Sequence, residues 1–264
     1  MRVVIKGAGD IASGIALCLH RAGMQLVMTD VPEPTAIRRS VAFSPAVTNG
    51  SAMVEDVAAY LAKDAKEALE IMERGNIAIL VDERAACIAQ IKPDAVVDAI
   101  LAKQNLGTTI EDAPIVVGVG PGFCAKKDCH AVVETQRGHD LGRIILEGTP
   151  EPNTGIPGII GGYGLERVVR TPCAGKFEAI KQIGDRVAAG DLVAKVDGRE
   201  VRCEIGGILR GILPDGIMVY DKMKCADVDP RCEVGHCYSA SDKARAIGGG
   251  VLTALLMLEK QHSH

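Results

Sequence analysis

Tryptophan is absent from this 264-residue chain, which holds only three phenylalanines and four tyrosines. Its core must therefore be aliphatic, built from Val, Ile, Leu and Ala, and base-stacking platforms for single-stranded nucleic acid are disfavoured. An excess of basic residues is also missing. The formal charge is −4, whereas binding a phosphate backbone calls for a basic face, so no nucleic-acid partner is expected. Long apolar runs are lacking: the C-terminal stretch 251–258 is far short of the about 20 residues needed to cross a bilayer. The opening Met1-Arg-Val-Val-Ile-Lys-Gly enters a strand with no apolar signal region, so a cytoplasmic protein without a membrane partner is expected. The nine cysteines are odd in number and lack a repeating CxxC pattern, which fits reduced thiols better than a disulfide framework. P-loop, HExxH and GxSxG signatures are missing as well, leaving no nucleophile or base in a recognisable frame.

What is abundant is glycine and mixed charge in the middle of the chain. After apolar Ile115-Val-Val117, glycines 118, 120 and 122 permit tight turns and close approach to a ligand. Within a few residues follow Lys126, Lys127, Asp128, His130, Glu134, Arg137, His139 and Arg143. The stretch is either a solvated hairpin or an anion-binding or catalytic site, and the density of unlike charges between apolar segments favours the site. Alternation about Val132-Val133 places His130 and Glu134 on one strand face. With His139, they are the expected proton-transfer residues. Cys124 and Cys129 border this stretch, and its positive charge would lower a thiol pKa; inert packing is the alternative. A Cys2His2 zinc site from Cys124, Cys129, Cys232 and Cys237 with His130 and His236 is geometrically conceivable, but free thiols are the default and no metal site is assigned.

The first 30 residues form a predicted βαβ unit: strand 2–6, a helix with Ile11, Ile15, Leu19 and Ala22 at helical spacing, and strand 25–30. Gly7-x-Gly9-x-x-Ala12 matches the dinucleotide fingerprint, and Asp30 stands where an acid would accept a ribose hydroxyl. The same glycines would equally serve close strand–helix packing. Asp10 favours that second reading, because a carboxylate there opposes a pyrophosphate and suits a cap. Further strands (76–82, 95–101, 115–117) and helices (55–74, 84–90) alternate, predicting a doubly wound parallel sheet. Gly7, Asp30, Asp82, Lys103 and Gly120 fall at or just after strand ends and should share one rim. From 163 to about 230 the pattern changes to short, evenly spaced strands, suggesting a small barrel or sandwich. Gly184-Asp-x-Val and Gly190-Asp resemble the biotinyl/lipoyl-like barrel-sandwich, but the hairpin 197–200 has no lysine, which argues against a covalent carrier. The last helix starts at Ser241, a plausible cap, and sets Lys243 and Arg245 in its first turns, where cations oppose the dipole.

Several motifs together carry a resemblance: Gly7-Ala-Gly-Asp10, Asp98-Ala-Ile-Leu-Ala-Lys103, Gly120-Pro-Gly-Phe, Asp128-x-His130, Glu134-Thr-x-Arg-Gly-His139, Leu141-Gly-Arg143, Pro152-Asn-Thr-Gly155 and Ser241-Asp-Lys-Ala-Arg-Ala. They resemble the selenium-dependent molybdenum hydroxylase accessory family of the YqeB type across nearly the whole chain. The resemblance implies a factor in maturation of a xanthine dehydrogenase-like hydroxylase. Its partners would be the apoenzyme or other maturation factors, and its cofactor a nucleotide (NAD(P) or a cytidine nucleotide) or molybdopterin. The expected fold is α/β: a Rossmann-like domain at 1–160, an inserted biotinyl/lipoyl-like barrel at 161–235, and a helix at 236–264 returning to the first domain. Homo-oligomers are compatible with this reading. The expected ligand contacts are Gly7, Gly9, Asp10, Asp30, Lys103, Gly120, Gly122, Arg137, Arg143, Asn153, Lys243 and Arg245. The competing class is a stand-alone NAD(P)-dependent oxidoreductase.

Overall fold

The computed structural model describes residues 1–262. They divide into two compact units: one of Met1–Pro34, Ala42–Thr154 and the segment from Ala240 onward, the other of Thr35–Val41 and Gly155–Ser239. No helix among the described residues is long and apolar enough to cross a membrane.

The first unit opens with β1 (Arg2–Lys6), α1 (Asp10–Arg21) and β2 (Gln25–Asp30), followed by a short helix α2 (Ala46–Asn49). Then come β3 (Ser51–Val54), β4 (Val57–Leu61), α3 (Ala65–Glu73), β5 (Ile77–Val81), α4 (Ile88–Ile91), β6 (Ala95–Asp98), β7 (Ile115–Val119), β8 (Ala131–Val133) and β9 (Ile144–Ile145). The sheet order is β3-β4-β5-β2-β1-β6-β7-β8-β9. The pairs from β4 to β8 are parallel, while β3 and β9 pair antiparallel at the two edges.

Alternation of side chains assigns the two faces. Val4, Val27, Leu80, Val96, Val116 and Val132 meet Ala68, Ile71 and Met72 of α3 on one side. Their buried neighbours Val3, Ile5, Leu26, Met28 and Val117 face the other side, where α1 lies along β1 and β2. There the last helix, α5 (Asp242–His262), lies along β7, β8 and β9.

The second unit contains β10 (Val168–Arg170), β11 (Gly175–Ala179), β12 (Arg186–Val187), β13 (Leu192–Val196), β14 (Arg199–Arg202), β15 (Gly207–Ile212), β16 (Met218–Val219) and β17 (Lys224–Asp229). They form two four-stranded antiparallel sheets, β10-β17-β15-β12 and β14-β13-β11-β16. Between them lies an aliphatic core centred on Phe177, Val193, Leu209, Ile212 and Val228.

This topology corrects the expected Rossmann-like parallel sheet with an inserted biotinyl/lipoyl-like barrel. The nine-stranded sheet is mixed, with an antiparallel strand at each edge. Helices are few, because the connections from β6 to β7 and from β7 to β8 contain none. The helical cover of β7 and β8 comes instead from α5, far along the chain. In the second unit the strands form two separate sheets. The helix expected over 55–74 is also revised: its first third is the strand β4, and the helix begins after Asp64. A reciprocal cap fixes that start. Asp64 accepts from the Glu67 amide at 2.8 Å, and Glu67 accepts from the Lys63 amide at 2.9 Å.

Candidate functional site

Five segments of the first unit come together beyond the carboxyl ends of the parallel strands. Gly7 has φ +97°, and a Cβ there would lie 3.0 Å from the Ala99 carbonyl oxygen, so the turn after β1 packs on the turn after β6. A Cβ on Gly122 would fall 2.7 Å from Gln104 Cα, and one on Gly120 2.7 Å from Thr135 Oγ1. These glycines therefore join the turn after β7 to segment 103–104 on one side and to the residues after β8 on the other. Arg137 in turn grips Asp242, the first residue of α5, with bonds of 2.6 and 2.9 Å. Finally, a Cβ on Gly14 would sit 2.5 Å from Ala244 Cβ, and one on Gly248 3.0 Å from Cys18 Cβ. These contacts advance in step along both helices, so α1 and α5 run in the same sense and start side by side. Each helix start carries partial positive charge. Ser241 caps α5 by accepting from the Ala244 amide at 3.1 Å, as its sequence position suggests.

Lys243 occupies the middle of this ring. Burial lowers its pKa, and the charges of Lys103 and Arg137 lower it further, while Asp10 and Glu134 act in the opposite direction. Lys103 keeps an exposed surface, but crowding around its ammonium also lowers its pKa by desolvation. Among the described residues neither lysine forms an ion pair or a side-chain hydrogen bond. The nearby acids are engaged. Asp242 is held by Arg137. Glu134 is buried, with its carboxylate accepting from the amides of Thr135 and Gln136, both at 2.6 Å, and Glu151 at 2.8 Å. Glu134 is thus an anchor that ties the end of β8 to residue 151. The connection delivering Lys103 is itself unusual, because Leu101 (φ +60°) and Lys103 (φ +66°) both adopt left-handed backbone, at roughly 1 kcal/mol each.

Gly9 differs from the other glycines of the ring. Its φ is −67°, and no protein atom lies within 4 Å of where its Cβ would stand. Folding does not require glycine there, and the opening of α1 faces free space. Asp10 sits in that first turn. Asp30, at the end of β2, accepts from the amides of Val31 and Ala8, and burial raises its pKa against those bonds. It thereby ties the turn after β1 to the end of β2.

Other expected site residues lie elsewhere. His130 is at the opposite, amino-terminal end of the strands, just before β8: its Nδ1 accepts from the Val116 amide at 3.0 Å. Four residues of strand, roughly 13 Å, separate it from Glu134, which corrects the placing of both in one pocket. His139 is exposed on the turn 136–141, and Arg143 is exposed and pairs with Asp140 at 3.3 Å. Arg245 points away from Lys243 and pairs with Glu55 at 3.1 Å. Asn153 is exposed on the segment leaving this unit. The expected activation of the thiols is also corrected for Cys129, which burial pushes up to about 11. Among the described residues no group of three or more His, Cys, Asp or Glu side chains could hold a metal ion.

The residues found only in the structure lie just beneath the rim. Lys6 donates to Thr108 Oγ1 at 2.5 Å, Thr108 donates to Asp98 Oδ2 at 2.6 Å, and Lys6 stands 3.7 Å from the same oxygen. All three are buried. The cluster fastens the connection after β6, and so the backbone that presents Lys103, to the ends of β1 and β6.

The rim thus belongs to a largely parallel α/β sheet with two unpaired ammonium groups gathered at paired helix starts. No family model matches the chain. It is similar to the uncharacterized protein YqeB of Escherichia coli (strain K12), with 50% identity over 259 residues, covering 98% of this chain and 48% of that protein. The chain spans about half the length of that relative. Among solved structures, it aligns with the apo ectoine utilization protein EutE (DoeB) of Ruegeria pomeroyi at 14% identity, over 86% of this chain and 85% of that one, with a TM-score of 0.28. It aligns with an aspartoacylase family protein of Mesorhizobium loti at 12% identity, over 86% and 84%, also with a TM-score of 0.28. Scores this low carry neither fold nor function across.

Proposed function

We propose that the chain binds a phosphorylated small molecule at this rim. The observation that carries the reading is the pair Lys103 and Lys243, two ammonium groups brought together with no ion pair on either among the described residues. Two ammonium groups without a direct ion pair, beside two helix starts, suit a dianionic phosphate. The open space at Gly9 allows a ligand to approach the first amides of α1. A nucleotide, either NAD(P) or a cytidine nucleotide, or the phosphate of molybdopterin fits this chemistry. In that reading Lys103, Lys243 and the start of α1 hold the phosphate. The wider role we propose is that of an accessory factor delivering or maturing the cofactor of a selenium-dependent molybdenum hydroxylase, with the apoenzyme as partner. The sequence motifs shared with the YqeB type support that role. A stand-alone NAD(P)-dependent oxidoreductase is less well supported, because His130 lies at the far end of the strands and Glu134 is held by three amides.

Mass spectrometry of the small molecule released from the purified protein tests the proposal. A phosphorylated compound that is lost from the Lys103→Ala/Lys243→Ala variant is expected. A neutral or cationic compound, retained equally by parent and variant, would contradict it.

A further inference from the structure

Lys243 has features that anion binding alone does not use. It is half-buried in the first turn of α5, while the lysines at 66, 92 and 127 are exposed. Around it stand Lys103 from the turn after β6, Arg137 and Glu134 from the end of β8, Asp10 from α1, and Asp242 on its own helix. Asp242 is taken by Arg137 and Glu134 by three amides, and among the described residues Lys243 forms no ion pair, although the charge of Asp10 acts on it. A desolvated lysine beside other cations holds a larger share of free amine near neutral pH and becomes a nucleophile toward carbonyl carbon. Lys103 remains beside it to hold an anionic group of the same molecule.

We propose that Lys243 is a carbonyl-reactive amine that condenses with the aldehyde or keto group of a small anionic substrate. This deepens the phosphate-binding reading and rests on it. In the step, Nζ of the neutral amine attacks the carbonyl carbon and a C–N bond forms. The carbonyl oxygen takes one proton from the nitrogen and one from solvent and leaves as water. Nitrogen keeps its remaining hydrogen in a protonated imine, and no electrons are exchanged with a further reactant.

Pyridoxal 5′-phosphate, an aldehyde carrying a phosphate dianion, is a direct probe. The full chain is incubated with it, reduced with borohydride, digested and mapped by mass spectrometry over a range of pH. The expected result is a reduced adduct concentrated on Lys243, labelled severalfold faster than the exposed lysines, because a desolvated amine beside other cations holds more of its neutral form. Lys103→Met should move the pH midpoint of that labelling upward, since a neighbouring positive charge is removed, a change that loss of packing would not produce. Lys243→Arg should abolish the adduct at this position, while calorimetry of the parent chain with inorganic phosphate shows binding. Label spread evenly over the lysines at 66, 92 and 127 would overturn the proposal. Phosphate binding without any trapped imine at Lys243 would overturn it too, and would leave the anion-binding reading standing.

Discussion

Gly14 of α1 and Ala244 of α5 touch so closely that a Cβ on Gly14 would stand 2.5 Å from that of Ala244. This contact sets the start of one helix beside the start of the other, and with it the position of Lys243. A side chain at residue 14 must force the helices apart. Gly14→Val is expected to destabilise the fold by about 1–3 kcal/mol, read as a lower denaturant midpoint, and to weaken phosphate binding as Lys243 is displaced. An unchanged midpoint would show that the two helix starts are not packed as described.

Gly9→Val should behave in the opposite way. No protein atom lies within 4 Å of the site a Cβ would take, and φ is −67°, so thermal unfolding should stay within about 0.5 kcal/mol of the parent. Binding of the phosphorylated ligand should fall sharply, because the valine fills the approach to α1. A variant that binds as the parent does would make this turn merely structural.

In the second unit, buried Asp227 takes Arg167 at 2.7 Å and Arg210 at 2.5 Å, while buried Asp229 takes Arg231 at 2.6 Å and Arg210 at 3.2 Å. Burial alone would raise the Asp229 pKa, but its bonds to Arg231 and the charge of Arg210 hold it at about 2. This lies below the ordinary value near 3.9 for an unfolded Asp. The stabilisation is therefore complete above about pH 4 and is lost as pH falls toward 2, at a cost of about 2 kcal/mol. Urea midpoints measured between pH 7 and pH 2 check this. Asp229→Asn should destabilise at pH 7 by about 2 kcal/mol, because Arg231 loses its partner while Arg210 keeps Asp227, and should flatten the acid limb.

The thiols give a further check. Burial raises Cys87 to about 12, Cys129 to about 11 and Cys225 to about 12, so alkylation of the native protein near neutral pH should miss all three. Exposed Cys232 should react first. Rapid labelling of Cys129 would contradict its buried placement.

Much of the rim was legible in the sequence because strand ends follow local signals. The runs rich in β-branched residues at 2–6 and 115–117, each followed by glycine, and the run beginning at Ala95 mark where parallel strands stop, and the structure has Gly7, Lys103 and Gly120 after the neighbouring strands β1, β6 and β7. The edges of the sheet were not legible. β3 and β4 pair through a tight turn in which Glu55 takes φ +54°, a conformation its residue type does not announce, and the alanines of β4 suit helix and strand alike. His130 was misplaced for a different reason: alternation fixes which face of a strand a side chain takes, not which end of the sheet it occupies. The Lys6–Thr108–Asp98 cluster spans residues far apart in sequence, so no local pattern reveals it. The α1–α5 contact did leave a trace, small residues four apart at 14 and 18 and at 244 and 248.

Calorimetric titration of inorganic pyrophosphate into the parent chain and into the Lys103→Ala and Lys243→Ala variants tests the central claim most directly. Saturable binding to the parent is expected, weakened by roughly tenfold or more in each variant, as loss of one charge-assisted contact implies. Binding that is equal in all three chains, or absent from the parent, would contradict the account of the rim as a phosphate site.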